Sequence, residues 1–130
     1  TNNQKNKDIQ LALENDADIN TQTKEGFTGL MLSVIHGNQQ MVLLYIEKEA
    51  DLNLQSFSGE TALIYAAQGT GDNDLKIVSY LLTAGADKTI KDNNKKTALD
   101  VANQERSNGK GDQRIIDLLN SQTSAPEPDL

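Results

Sequence analysis

Apolar residues in this chain fall into short helical stripes that come in pairs. Leu30, Ser33 and Val34 form one stripe; Met41, Val42, Tyr45 and Ile46 form the next at i, i+1, i+4, i+5 spacing, with Gly37 breaking the chain between them. Leu63, Ala66 and Ala67, then Ile77, Val78, Leu81 and Leu82, repeat the pair, and Ile115, Leu118 and Leu119 supply a last second helix. The pattern predicts an all-α chain of short helix pairs. Thr28, Thr61 and Thr97 precede the first helices, where a hydroxyl can accept from an orphan backbone N–H. Gly85 stands where a left-handed C-terminal cap is wanted, while Asp16 and Glu49 hold the equivalent places. Each pair is preceded by about ten polar residues containing Gly26 or Gly59, which reads as a protruding hairpin-like loop.

The pairs have a fixed period. Ala17-Asp18-Ile19-Asn20 recurs as Ala50-Asp51-Leu52-Asn53 after 33 residues and as Ala86-Asp87-Lys88-Thr89 after 36. Thr28-Gly29-Leu30, Thr61-Ala62-Leu63 and Thr97-Ala98-Leu99 keep the same two spacings, so Leu30, Leu63 and Leu99 are expected buried at equivalent positions one unit apart. Complete units are expected at residues 21–53, 54–89 and 90–120, with a partial unit at 1–20 whose first helix is missing, and a loose tail at 121–130 carrying Pro126 and Pro128. A solenoid unit buries its apolar face only against its neighbours, so about three and a half units suffice to fold. Two inter-helix turns, residues 68–74 and 104–113, are longer than their counterpart in the first complete unit and are expected as polar, glycine-containing loops.

A 33-residue unit with Thr-x-Leu, a glycine turn, paired apolar residues in the second helix and Gly85-Ala86-Asp87 resembles the ankyrin-repeat family over roughly residues 9 to 120. The resemblance implies an ankyrin-repeat solenoid in which hairpin tips and first helices line a concave groove. The family's Thr-Pro-Leu-His stands here as Thr28-Gly29-Leu30-Met31, Thr61-Ala62-Leu63-Ile64 and Thr97-Ala98-Leu99-Asp100, so a Thr-to-His hydrogen-bond network cannot form.

Composition narrows the function classes. The 130 residues carry 19 acidic against 12 basic side chains, a net charge of −7 that repels a phosphate backbone. Nucleic acid is not expected as a partner on that ground, and no apolar run approaches the roughly 18 residues of a membrane span. With no cysteine, neither disulfides nor thiol chemistry are available, and the compartment, cytoplasmic, periplasmic or secreted, is left open. His36 is the single histidine, so no His-paired metal site can be assembled, and no Ser-His-Asp array is expected around it. Asp72-Asn73-Asp74 fails as a calcium loop because Ile77 and Thr83 stand where glycine and glutamate are required. No enzymatic role, metal or cofactor is expected.

What remains is a surface. The resemblance places Gln22, Lys24, Glu25 and Phe27 on the first tip, Gln55, Phe57, Ser58 and Glu60 on the second, and Lys91, Asn93, Asn94 and Lys96 on the third, with Ile35, His36 and Gln68 on the groove wall. Phe27 and Phe57 are the chain's only phenylalanines, and an aromatic anchor ringed by polar groups is where interface energy concentrates; each ring could equally fold back onto its own hairpin or the neighbouring one. Lys88, Lys91, Lys95 and Lys96 give one end a basic character that would orient a partner. The expectation is a protein-binding module, monomeric when free, that grips a folded protein through its concave groove, hairpin tips and extended inter-helix loops. Within that class it could act as a stoichiometric inhibitor or protective cap of an enzyme; the other reading is a structural piece of a longer array.

Overall fold

The computed structural model describes residues 18–121; residues 1–17 of the partial first unit and 122–130 of the C-terminal tail lie outside the described residues. Among these residues are six helices and no strand: α1 (Gly29–Ile35), α2 (Gln39–Glu47), α3 (Ala62–Ala67), α4 (Gly71–Thr83), α5 (Ala98–Ser107) and α6 (Gln113–Ser121). Each of the spans 21–53, 54–89 and 90–120 holds one helix pair, the last running one residue over. Helices pair within a unit, and each then packs on its counterpart in the next: α1 on α3 on α5, and α2 on α4 on α6. The core runs as one ribbon between these two layers, from Leu30 and Met41 through Leu63 and Ile77 to Ile115 and Leu119.

Local chemistry sets the helix starts. The Oγ1 atoms of Thr28, Thr61 and Thr97 accept from the backbone N–H of Met31 (3.1 Å), Ile64 (3.2 Å) and Asp100 (3.2 Å). In two units the bond is returned: Thr28 N–H donates to the Met31 sulfur at 3.4 Å, and Thr97 N–H to an Asp100 oxygen at 3.0 Å. The residue in the family's histidine slot thus closes a capping box in the first and last of these units. Between the helices of the first unit, Asn38 caps α2 through Met41 N–H at 3.1 Å. Glu49 takes the left-handed conformation (φ 63°) that Gly85 takes in the next unit.

Three expectations are corrected. Residues 68–74 are not a loop throughout, because α4 begins at Gly71 and the insertion becomes an extra helical turn. That turn is stitched on both sides: Asn73 donates to Gly37 O at 2.9 Å, Gly71 N–H donates to Asp112 at 3.0 Å, and Arg114 pairs with Asp72 at 2.7 Å and Asp112 at 2.9 Å. Residues 104–113 are likewise shortened to a connection at 108–112, since α5 continues to Ser107. Leu30 and Leu63 are buried as expected, but Leu99 is only half-buried, because among the described residues nothing packs on the outer side of α5.

Candidate protein-binding surface

Each polar stretch between units forms a tight hairpin closed by reciprocal bonds. Thr23 N–H donates to Phe27 O (2.8 Å) and Gly26 N–H to Thr23 O (2.9 Å); Ser56, Gly59 and Glu60 repeat this, as do Asp92, Lys95 and Lys96. A short oxygen-bearing side chain reinforces every turn: Thr23, Ser56 and Asp92 accept from the N–H of Phe27, Glu60 and Lys96 at 3.1, 3.3 and 3.0 Å.

The hairpins are bonded to one another by residues one period apart. Gln22 Nε2 donates to Gly26 O (2.8 Å) and to Gln55 O (2.9 Å); Gln55 Nε2 does the same to Gly59 O (2.8 Å) and Lys91 O (3.0 Å). The Ala-Asp repeat marker has a matching role. Asp18, Asp51 and Asp87 each accept from the backbone two residues on at 2.9 Å, and Asn20 and Asn53 accept from the N–H of Asp51 (2.8 Å) and Asp87 (2.9 Å) in the following unit. The carboxyl of Asp87 is held below the usual carboxylate range by its bonds to the Thr89 hydroxyl and backbone.

These bonds divide the expected site residues into two groups. Gln22, Gln55 and Asn93 join neighbouring hairpins: Asn93 donates through its backbone to Ser58 O at 3.0 Å and through its side chain to Phe57 O at 2.8 Å. Phe27 is half-buried, its ring tilted against Tyr65 at 5.9 Å. Tyr65 donates to Ser56 at 3.0 Å, and burial raises its phenol pKa. Glu60 accepts from Gln68 at 3.3 Å, linking the second tip to the end of α3. His36 closes the C-terminus of α1, its N–H donating to Leu32 O at 3.0 Å. Lys24, Glu25, Phe57, Ser58, Lys91, Asn94 and Lys95 remain exposed on the tips, with Lys96 half-buried beneath them.

Phe57 stands apart in this group. It is 71% exposed, the largest value among the exposed large hydrophobics, which also include Ile35 and Leu43. Its backbone is nevertheless fixed from both sides, with its N–H donating to Glu25 O at 3.1 Å and its C=O accepting from Asn93. The hairpins approach so closely that a Cβ on Gly26 would lie 2.7 Å from Phe57 N, and one on Gly59 would lie 2.6 Å from Asn93 N. Lys95 occupies the same left-handed position (φ 65°) in the last hairpin, where no described hairpin follows. The relays through Gln22, Asn20 and their counterparts were missed by sequence reasoning; their signal was identity or likeness at the repeat spacing, which marks a unit-to-unit contact as readily as a partner contact.

Among the described residues no cluster of His, Asp or Glu is arranged to hold a metal, and no helix is long and apolar enough to cross a membrane. The arrangement is a layered helix-pair solenoid with a row of rigid hairpins along one edge. A family model for ankyrin repeats, three copies, matches residues 1–92, and the chain belongs to the ankyrin-repeat family. The α5–α6 pair lies beyond that match and continues the same stacking. Ankyrin repeats are in general protein–protein interaction modules. Comparison with curated proteins found no match.

Proposed function

We propose that this chain binds a folded protein partner through its row of hairpin tips, with Phe57 as the anchor. The observation that carries the reading is a phenylalanine ring 71% exposed on a backbone hydrogen-bonded on both sides. A ring so placed loses little conformational freedom when a partner covers it, which is the condition for a strong contact. Lys91, Lys95 and Lys96 give the last hairpin a basic character within a chain of net charge −7, while Glu25 and Glu60 stand on the first two tips, and this favours a partner whose apolar pocket carries acidic groups on the side that meets the last hairpin. The groove-wall residues Ile35, His36 and Gln68 complete the proposed footprint. Activity of the captured partner in the complex separates simple docking from the inhibitory or protective role that sits inside this reading.

The test begins with affinity capture and proceeds to surface plasmon resonance on the captured protein. Phe57→Ala is expected to weaken binding at least tenfold, chiefly through faster dissociation, with the melting temperature nearly unchanged. Replacing Lys95 and Lys96 together by Ala is expected to slow association and flatten its salt dependence. An unchanged dissociation rate for Phe57→Ala would move the site away from the hairpin tips.

A further inference from the structure

The outer face of the last unit differs from the faces buried inside the array. Ile19 and Leu52 are half-buried against the core, and Lys88 holds their place in the last unit. Val34 and Ala67 are buried, whereas Asn103 at the same position is exposed; Leu82, which follows Leu81, becomes exposed Asn120 after Leu119. A further helix pair landing here would bury an ammonium where interior contacts bury aliphatic carbon, and an unpaired buried charge is heavily penalised. Lys95 in place of the hairpin glycine also puts a side chain where the next hairpin would approach. This face is therefore suited to water or to a polar ligand rather than to another unit.

Between the last hairpin and α6 lies an open cavity of about 370 Å³. Small-molecule and peptide pockets commonly measure roughly 300 to 1,000 Å³. Leu99 and Leu119 form its apolar part, and Lys88, Lys91, Thr97 and Asn120 its polar part. Lys88 Nζ donates to Leu119 O at 2.9 Å, which fixes one ammonium beside the leucines and, among the described residues, leaves two of its three N–H donors for another acceptor. Lys91 forms no ion pair among the described residues. The neighbouring carboxylates are engaged locally, Asp87 with Thr89 and Asp100 with the Thr97 backbone N–H.

We propose that this cavity binds a carboxylate at the end of an extended peptide segment of a partner protein, with the adjoining aliphatic side chain seated on Leu99 and Leu119. Two ammonium groups beside an apolar floor match that pairing of charge and hydrocarbon. The open side gives the rest of the peptide a way out, which an enclosed metabolite pocket would not need. The inference rests on the protein-binding reading only in taking the occupant to be a peptide.

The test uses the isolated full chain and backbone amide NMR shifts, with acetylated Gly-Ala-Leu tripeptide as probe, as the free acid and as the C-terminal amide. The acid is expected to produce saturable shifts at Thr97, Leu99, Leu119 and Asn120, and the amide to bind at least tenfold more weakly. Lys91→Gln, which installs the side chain found at positions 22 and 55, is expected to weaken the acid several-fold with no change in melting temperature. Phe57→Ala is expected to bind the tripeptide like wild type, so failure of the hairpin-tip reading leaves this result standing. Absence of saturation, equal affinity for acid and amide, or indifference to Lys91→Gln would overturn the proposal. Binding of 4-methylpentanoate as tight as that of the tripeptide would overturn the peptide assignment in favour of a small carboxylate.

Discussion

Leu63 and Leu99 are the same residue at the same repeat position, yet they should differ sharply in what they contribute. Leu63 is 1% exposed in α3, with α1 packed on one side and α5 on the other. Leu63→Ala removes three carbons from that environment, a transfer loss of about 2.4 kcal/mol at about 0.8 kcal/mol per buried methylene, and the cavity left behind adds to it. A total loss of about 3 to 4 kcal/mol is expected. Leu99 is half-buried at the rim of an open cavity, so truncation forfeits about half the transfer term and leaves no closed void. About 1 kcal/mol is expected there. Urea unfolding followed by circular dichroism reads both. With m of about 1 to 3 kcal/mol per molar, the two midpoints should separate by roughly 0.7 M or more, provided the slopes agree. A lower slope for Leu99→Ala would report the last unit unravelling alone, as linear arrays can. A loss under about 1 kcal/mol for Leu63→Ala, or equal losses at the two positions, would refute the assigned stacking.

Other substitutions test single contacts. Gly29→Ala is expected to destabilise by about 1 to 3 kcal/mol on a urea melt, although alanine occupies positions 62 and 98, because its Cβ would overlap the Tyr45 hydroxyl; in the Tyr45→Leu background the penalty should vanish. Glu49→Gly is expected to raise the melting temperature by a few degrees, relieving a left-handed residue worth about 1 kcal/mol, and a fall would refute that account. The Arg114 guanidinium, with the N–H groups of Arg114 and Gly71, holds the Asp112 carboxyl well below the usual carboxylate range. A depressed carboxylate stabilises the fold above its unfolded pKa, here near 3.8, and loses that contribution as pH falls below it. The stability gap between wild type and Arg114→Gln should therefore be present at pH 7 and close towards pH 2, and a gap that stays constant on acidification would exclude this linkage.

The sequence by itself determined the helix pairs, their period and their caps. These depend on contacts within a few residues, such as Thr28 with Met31, or on apolar spacing along one helix, and both are written locally. It also marked Phe57 as a tip residue and separated Gly85 from Glu49 as the easier left-handed position. Tertiary structure decided the rest. The extra residues near Gly71 became helix instead of loop because Asn73 ties that turn back to Gly37 in the preceding unit, and Asp112 and Arg114 hold it from the following one. Phe27 and Phe57 stand at different repeat positions, aligned with Glu60 and Lys24, but only the tertiary structure sets their exposure: Tyr65 of the following unit packs on the first ring, and the second is left exposed. Gln55 and Asn93 read equally well as partner contacts or as stitches until the neighbouring hairpin is in place, because a side chain's role in a repeat array depends on what stands one period away.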